Sequence, residues 1–384
     1  MTFLHTADWQ LGKPFARIED EQKRAIVRQE RMAVLGRLAV LVQEQQAEFV
    51  IVAGDLFDSP SPDKATVSAA CAAIGALKVP VYAIPGNHDH GGPGSVWEQP
   101  FFVKEREALA PNLTLLLKAE PVELASVVLL PCPLMHRHES GDTTAWLRTL
   151  DLSAYGDKAR IVLAHGTVQD FGPAGDDEDE VGANNHLDLA RLPHEQFDYI
   201  ALGGCRGMKK ISAKAWYSGT PEPDRFPRGV GNLPGHVLAV TLRRGEHPLV
   251  TPLATGRLRW HDLDHVMSDD GGLSRLYEIL DQEMALGTGQ DLLRLTLSGS
   301  LGMIGMTDLE ACLETWRARL LRLRLHDRVA IAASDDEITA LTQRADAPLI
   351  ARVAAQLLAQ SHSAGEQAEA AKNALRQLHA AALA

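Results

Sequence analysis

Over the first 260 or so residues, apolar positions fall in short dense runs, and several of these runs end in a polar residue capable of chemistry. FLHTAD at Phe3 to Asp8 reads as a strand delivering Asp8, and FVIVAGD as a buried strand ending at Asp55. VPVYAIPGNHD predicts a strand followed by a glycine-containing loop with Asn87 and His88, and RIVLAHG repeats the arrangement with His165 at its exit. Between these runs, the segment from about Asp20 to Gln46 carries a helical period with few breakers, and Lys64 to Leu77 predicts a second helix. Strands that are apolar at nearly every position suit a sheet covered on both faces. Shorter strand-like runs at Leu113 to Leu117, Pro121 to Pro131 and His236 to Leu242 predict a second sheet packed against the first. The expected core is therefore α/β: a two-sheet sandwich flanked by helices.

The pattern changes after residue 260. Gly272 to Leu286 reads as helix, DLLRLTLSG as strand, and Met306 to Leu323 as an amphipathic helix before RVAIA, which together predict a small C-terminal α/β cap. Beyond Asp335 the chain is rich in alanine and glutamine, with a helix cap at Ser334 and a break at SHSAG, so two terminal helices are expected, with apolar faces able to dock on the body or on a partner. The organisation read from sequence is 1–260, 261–334 and 335–384. The acidic run Asp176 to Glu180, bounded by glycines, reads as a solvated loop without chemistry. Neither an internal repeat nor a GxxxxGK[ST] phosphate loop is present.

Composition narrows the classes. A chain of 384 residues with 45% apolar and 23% charged residues can bury a substantial core. Its net charge of -12 repels polyanions at long range, which disfavours a protein that coats DNA through general basic charge while leaving room for local cationic patches and bound cations. The apolar runs fall far short of a bilayer span, and no basic start with an apolar signal segment precedes the first strand, so a cytoplasmic location without membrane contact is expected. Cys71, Cys132, Cys205 and Cys312 show no CxxC spacing and read as free thiols.

A divalent metal pair needs hard oxygen ligands and neutral imidazoles at fixed points, ideally with one carboxylate shared between the ions. Asp55 suits the shared position, and Asp8 can serve a first ion. Asn87 offers an amide oxygen and His165 an imidazole nitrogen to a second. His88 would stand near a leaving oxygen as a proton donor, and Asp89 would either hydrogen-bond that histidine or cap its loop.

With HTADWQLG, VIVAGDLFD, IPGNHDH, LAHG and YIALGGCRG followed by WYSGTPEPDRF, the chain resembles the calcineurin-like metallophosphoesterase superfamily, and within it the DNA repair nucleases of the Mre11/SbcD type. The resemblance covers roughly residues 1 to 260. It implies metal ligands at Asp8, Asp55, Asn87 and His165, a catalytic His88, and Mn2+ as the ion, one or two per chain, with Mg2+ as an alternative. It also implies DNA as substrate, a homodimer, and a separate coiled-coil ATPase subunit.

Three positions depart from the pattern: Gln10 stands where a histidine is usual, Gly204 where a histidine or aspartate is usual, and Arg206 where a histidine is usual. Two ligands are thereby lost from the first ion and one from the second. Gln10 keeps an amide oxygen and is expected to remain a weak ligand. Arg206 can only donate; it is expected either to pair with Asp8 or Asp55 or to grip a substrate phosphate. Cys205 reads as a small apolar filler, His90 and His186 as alternative imidazoles, and His5 as a core or supporting residue beneath Asp8. Three readings follow: a metal-dependent phosphodiesterase or DNA exonuclease acting in repair, a weakened member that binds DNA or a partner, and a small-molecule phosphoesterase.

Overall fold

The structure is a computed structural model that describes residues 1–168, 185–226, 233–267, 270–284, 289–331 and 347–361, with scattered positions elsewhere in the C-terminal stretch. The acidic run at Asp176 to Glu180 and the cap at Ser334 lie outside the described residues. The chain divides into two compact units, Met1–Leu258 and Arg259–Ala384.

In the first unit, β1 (Thr2–Thr6), α1 (Glu21–Glu44), β2 (Val50–Ala53), α2 (Lys64–Gly75), β3 (Val81–Ile84), α3 (Pro100–Leu109) and β4 (Leu113–Leu115) run in succession. They are followed by β5 (Val122–Glu123), β6 (Val127–Cys132), β7 (Ala159–His165), the short pair β8 (Thr167–Val168) and β9 (His186–Leu187), and β10 (Tyr199–Gly203). β11 (Lys209–Lys210), β12 (Ala215–Tyr217), β13 (His236–Thr241) and β14 (Leu249–Ala254) complete it. Asp20 and Asp63 start α1 and α2 by accepting the N–H groups of Lys23 and Thr66, the usual relief for unpaired donors at a helix start.

Two six-stranded mixed sheets form, in the orders β14-β13-β1-β2-β3-β4 and β11-β12-β10-β7-β6-β5. Their central strands alternate strictly between two covered faces. In β2, Val50 and Val52 pack under α1 and α2, while Ile51 turns towards the other sheet. In β7, Ile161 and Leu163 face the first sheet, and Val162 and Ala164 face the outer layer. Phe3, Phe49 and Tyr199 fill the space between the sheets, with the first two rings stacked at 5.0 Å. His5 belongs to this layer: its Nδ1 lies 2.9 Å from the Tyr199 hydroxyl, and burial pushes the ring pKa down to about 3. It is a neutral core residue.

The sandwich expected from sequence is present, but its strands are shared out differently. The runs at Leu113 and His236 join the first sheet, because β13 pairs antiparallel with β1 and β4 parallel with β3. β7 and β10 build the second sheet instead. Pairing partners are set by long-range packing that alternation cannot report. The apolar pattern also gives no sign of α3, which is short and highly charged; Pro100 at its first turn was the available signal.

The second unit contains β15 (Arg259–Met267), α4 (Asp270–Met284), β16 (Asp291–Leu301), α5 (Met303–Arg319) and β17 (Arg322–Ile331). The strands form a parallel sheet in the order β15-β16-β17. Leu293, Leu295 and Leu297 pack with Leu276 and Leu280 of α4 and Leu309 and Trp316 of α5. The second helix ends at Arg319, earlier than the Leu323 read from sequence, because the alternating RLRLHDRV that follows is a strand in register with β16. A further helix spans Pro348–Ser361. Among the described residues, no helix is long and apolar enough to cross a membrane.

At the carboxyl end of the sandwich the two sheets touch through backbone. A side chain on Gly203 would put its Cβ 1.9 Å from the Ala53 carbonyl oxygen and 2.9 Å from the Ala7 Cβ. Gly203→Ala is therefore expected to push β10 away from β2 and destabilise the protein by about 1–3 kcal/mol or more, the usual cost of overpacking. Urea denaturation followed by tryptophan fluorescence measures it; an unchanged midpoint would contradict the close approach.

Candidate metal centre

Asp8 follows β1, Asp55 follows β2, Asn87 and His88 follow β3, His165 closes β7 and Arg206 follows β10. All six therefore sit at carboxyl ends of mostly parallel strands, where ligand sites of open α/β sheets gather. The loops are tied together by backbone bonds from Asp8 N to Gly54 O (3.0 Å), Gln10 N to Asp55 O (2.9 Å) and Leu11 N to Leu56 O (2.9 Å). Asp8, Gln10 and Asp55 hold left-handed conformations, with φ of 54°, 43° and 57°. Such geometry costs about 1 kcal/mol or more per residue and persists where the surroundings enforce it.

Asp8, Asp55 and His165 each bring one ligand-type atom to within 4.8 Å of the other two, and among the described residues they form the one such group. All three are about 1% exposed. His165 Nδ1 lies 2.8 Å from the Ala53 carbonyl, and its Nε2 lies 2.9 Å from Asn87 Oδ1 and 3.7 Å from Asp55 Oδ2. With Nδ1–H donated to backbone, Nε2 faces oxygens that are acceptors, so its 2.9 Å approach to Asn87 Oδ1 calls for a proton or a cation between them, and a deprotonated ring would turn a lone pair there. Such converging lone pairs suit a divalent cation, and hard oxygens with one imidazole match the preferences of Mn2+ and its neighbours.

Burial disfavours charge on the His165 ring, yet the Asp55 and Asp8 carboxylates more than offset it and raise its pKa. Burial likewise opposes charge on Asp55, but His165, His88 and Arg206 hold its carboxyl below the ordinary range. For Asp8 burial prevails and the pKa is raised, despite Arg206 and His165 nearby.

His88 stands at the rim. Its backbone N–H donates to Asp55 Oδ1 (2.9 Å), its Nε2 lies 4.0 Å from Asp55 Oδ2, and its Nδ1 lies 3.0 Å from the Asp58 carbonyl oxygen. Of the two roles open to Asp89 in the sequence, the loop-capping one matches the observed contacts. Asp89 accepts the N–H groups of Phe57 (3.0 Å) and Gly86 (2.7 Å), one on each oxygen. Complete burial and the Asp55 charge push its pKa up to about 7. Asp89 thus clamps the two loops that carry Asp55 and His88.

Gln10 differs from expectation. Its amide nitrogen donates to Asp55 Oδ2 (3.2 Å), and its oxygen accepts from Lys13 Nζ (2.9 Å). An ammonium can only donate and a carboxylate only accept, so the two partners fix this orientation and direct the oxygen away from the cluster. At Gly204, where a ligand side chain is missing, the backbone N–H donates to Asp8 Oδ2 (3.0 Å). Arg206 places an Nη1 atom 3.6 Å from Asp8 Oδ1 and 3.7 Å from Asp224 Oδ2. Of the other candidates, His186 is exposed, and Cys205 packs against the apolar layer beneath the second sheet with its pKa raised by burial.

Sequence reasoning missed Asp224 and, apart from Arg206, the cations around it. Asp224 is almost wholly buried and lies 2.6 Å from Lys13 Nζ and 3.5 Å from Arg31 Nη2, besides Arg206. Arg31, itself buried, also donates to the Glu222 carbonyl oxygen (2.8 Å). WYSGTPEPDRF contains both acids, and a lysine three residues after Gln10 was the available signal. Arg31 gave none, since it is one of four arginines on a 24-residue helix.

Hard oxygens and an imidazole, gathered at strand ends beside a histidine, define a metal-dependent phosphoesterase type of centre. The model for calcineurin-like phosphoesterases matches residues 1–218, and the chain belongs to that family. Among solved structures, TT1561 of Thermus thermophilus is similar at 12% identity over 66% of this chain and 98% of that one, with a TM-score of 0.41. A second structure covers the same shares at 12% identity with a TM-score of 0.38. Likeness at that level carries no argument.

Burial opposes the Asp224 charge, but Lys13, Arg206, Arg225 and Arg31 outweigh it and hold the carboxyl well below the usual range. A lowered folded-state pKa means stability that is fully present above the unfolded value of about 4 and lost as pH falls towards the lowered one. Asp224→Asn is expected to cost about 3–5 kcal/mol near neutral pH by stranding buried cations, and to flatten the acid limb of the stability profile. Urea denaturation across a pH series checks both.

Proposed function

We propose that this protein is a divalent-metal-dependent phosphodiesterase acting on DNA, an exonuclease of the Mre11/SbcD type working in repair in the cytoplasm, with Mn2+ as the expected ion. The observation that carries this reading is the convergence of Asp8, Asp55 and His165, with His88 at the rim. The order of the strand-end motifs supports the nuclease type within the family. Asp55, Asn87 and His165 would hold the ion, with Asp8 beside them. An ion there supplies Lewis-acid polarisation of the phosphate and activation of water.

The rest of the chemistry falls to the chain. His88, half-buried and anchored through Asp58, can pass a proton from Nε2 to the departing ester oxygen. Arg206 supplies a fixed positive charge for a phosphate oxygen. Asp89 keeps Asp55 and His88 in register by clamping both loops. DNA is the proposed substrate, with a second copy and a separate coiled-coil ATPase as proposed partners, since the sequence has no phosphate-binding loop of its own.

A weakened, DNA-binding role is the second reading, favoured by Gln10 and Arg206 turning donors towards the carboxylates. Cleavage of end-labelled single- and double-stranded DNA in Mn2+ separates the two. The expected result is chelator-sensitive cleavage that falls by about 100-fold or more in His88→Ala, the scale of a lost general acid, and disappears in Asp55→Asn. A folded parent that binds DNA in chelator and never cleaves it would establish the second reading.

A further inference from the structure

The groups around Asp55 divide into two poles. Towards β3 and β7 stand lone pairs: His165 Nε2 and Asn87 Oδ1 lie 2.9 Å apart, and Nε2 is 3.7 Å from Asp55 Oδ2. Towards β1 and β10 the Asp8 carboxylate is ringed by donors and cations. The Gln10 amide nitrogen is on Asp55, Lys13 is on the Gln10 oxygen, and Arg206 is 3.6 Å from Asp8 Oδ1. The other Asp8 oxygen accepts the Gly204 N–H. This cationic pole is firmly built. Asp224, nearly inaccessible to solvent, holds Lys13 at 2.6 Å, Arg31 at 3.5 Å and Arg206 at 3.7 Å.

We propose that the Arg206 guanidinium, fixed by Asp224, occupies the place of a second metal ion, so that the centre takes up one divalent ion on Asp55, Asn87 and His165. The inference rests on the metal-centre reading above. A second divalent ion on the Asp8 side would face a guanidinium and an ammonium across a few ångströms of low-dielectric interior, with no lone pair offered by Gln10 or Gly204. Arg206 retains 11% side-chain exposure. One oxygen of the substrate phosphate would then face the ion and another the guanidinium, and Arg206 would be a permanent cation that neither dissociates nor loses its proton.

The test is Mn2+ binding to the full-length protein at neutral pH, with stoichiometry from titration calorimetry and spin coupling from electron paramagnetic resonance. The expected result is one equivalent with an uncoupled six-line spectrum, lost in His165→Ala. The double variant Gln10→His/Arg206→His, checked for folding by circular dichroism, is expected to gain a second equivalent with a spin-coupled signal. Two coupled ions in the unaltered protein would overturn the inference and leave the metal-centre reading standing. No bound ion at all would overturn both. A folded double variant that still binds one ion would refute the assignment of the exclusion to Gln10 and Arg206. The unaltered protein decides the stoichiometry even where the double variant fails to fold.

Discussion

The contact between the Ala53 carbonyl and its neighbours across the sandwich is the constraint on which the centre depends. Ala53 ends a strand of the first sheet, and its oxygen lies 2.8 Å from the His165 ring of the second. The same oxygen is so close to Gly203 that only hydrogen fits between them. Two six-stranded sheets packed face to face ordinarily stand about 10 Å apart, with side chains filling the space between them. Here the carboxyl ends pinch together, and Asp55 from one sheet and His165 from the other meet. The left-handed backbones of Asp8, Gln10 and Asp55 belong to the same pinch. Their strain is opposed by the backbone bonds joining the two loops and by the Asp89 clamp.

Within that geometry, charge decides what the site can hold. Asp55 is shared between an imidazole and amide-oxygen face and a face of donors, and each departure from the family pattern falls on the donor face or next to it. Gln10 and Arg206 are compatible with one another because both offer hydrogens to carboxylates, and Lys13 fits because Gln10 turns its oxygen to it. Asp224 makes the arrangement tolerable, since three buried or half-buried cations without a common anion would repel one another. Gln10, Lys13, Arg206 and Asp224 therefore form a coherent, internally compensated cluster of charge.

Much of this is legible in the sequence, for identifiable reasons. Runs such as FVIVAGD combine apolar density with a polar terminal residue, and a strand buried on both faces delivers that residue to a fixed point; Asp8, Asp55, Asn87 and His165 can all be located in this way. Strand pairing is less legible, because the antiparallel return of His236–Thr241 onto the first strand depends on contacts more than two hundred residues apart in sequence. The helix ending at Arg319 reads too long because LLRLRL serves a helix period and a strand period about equally at its start.

Side-chain direction is the least legible property. Gln10 reads as a ligand from its chemical inventory, but an amide has an acceptor end and a donor end, and which one faces the carboxylates depends on Lys13. Asp89 reads from adjacency as either a partner of His88 or a cap of its loop, and neighbouring residues on a tight loop point different ways. Its carboxylate is committed to Phe57 and Gly86, and His88 turns to Asp58. Arg206 shows the same limit from the other side. Residue type alone leaves pairing and phosphate binding as alternatives, whereas the geometry shows the pairing. An arginine held from behind by Asp224 and pointed at Asp8 is part of the resting charge balance. The guanidinium, which does not lose its proton, keeps positive charge beside these carboxylates whatever the surrounding metal concentration.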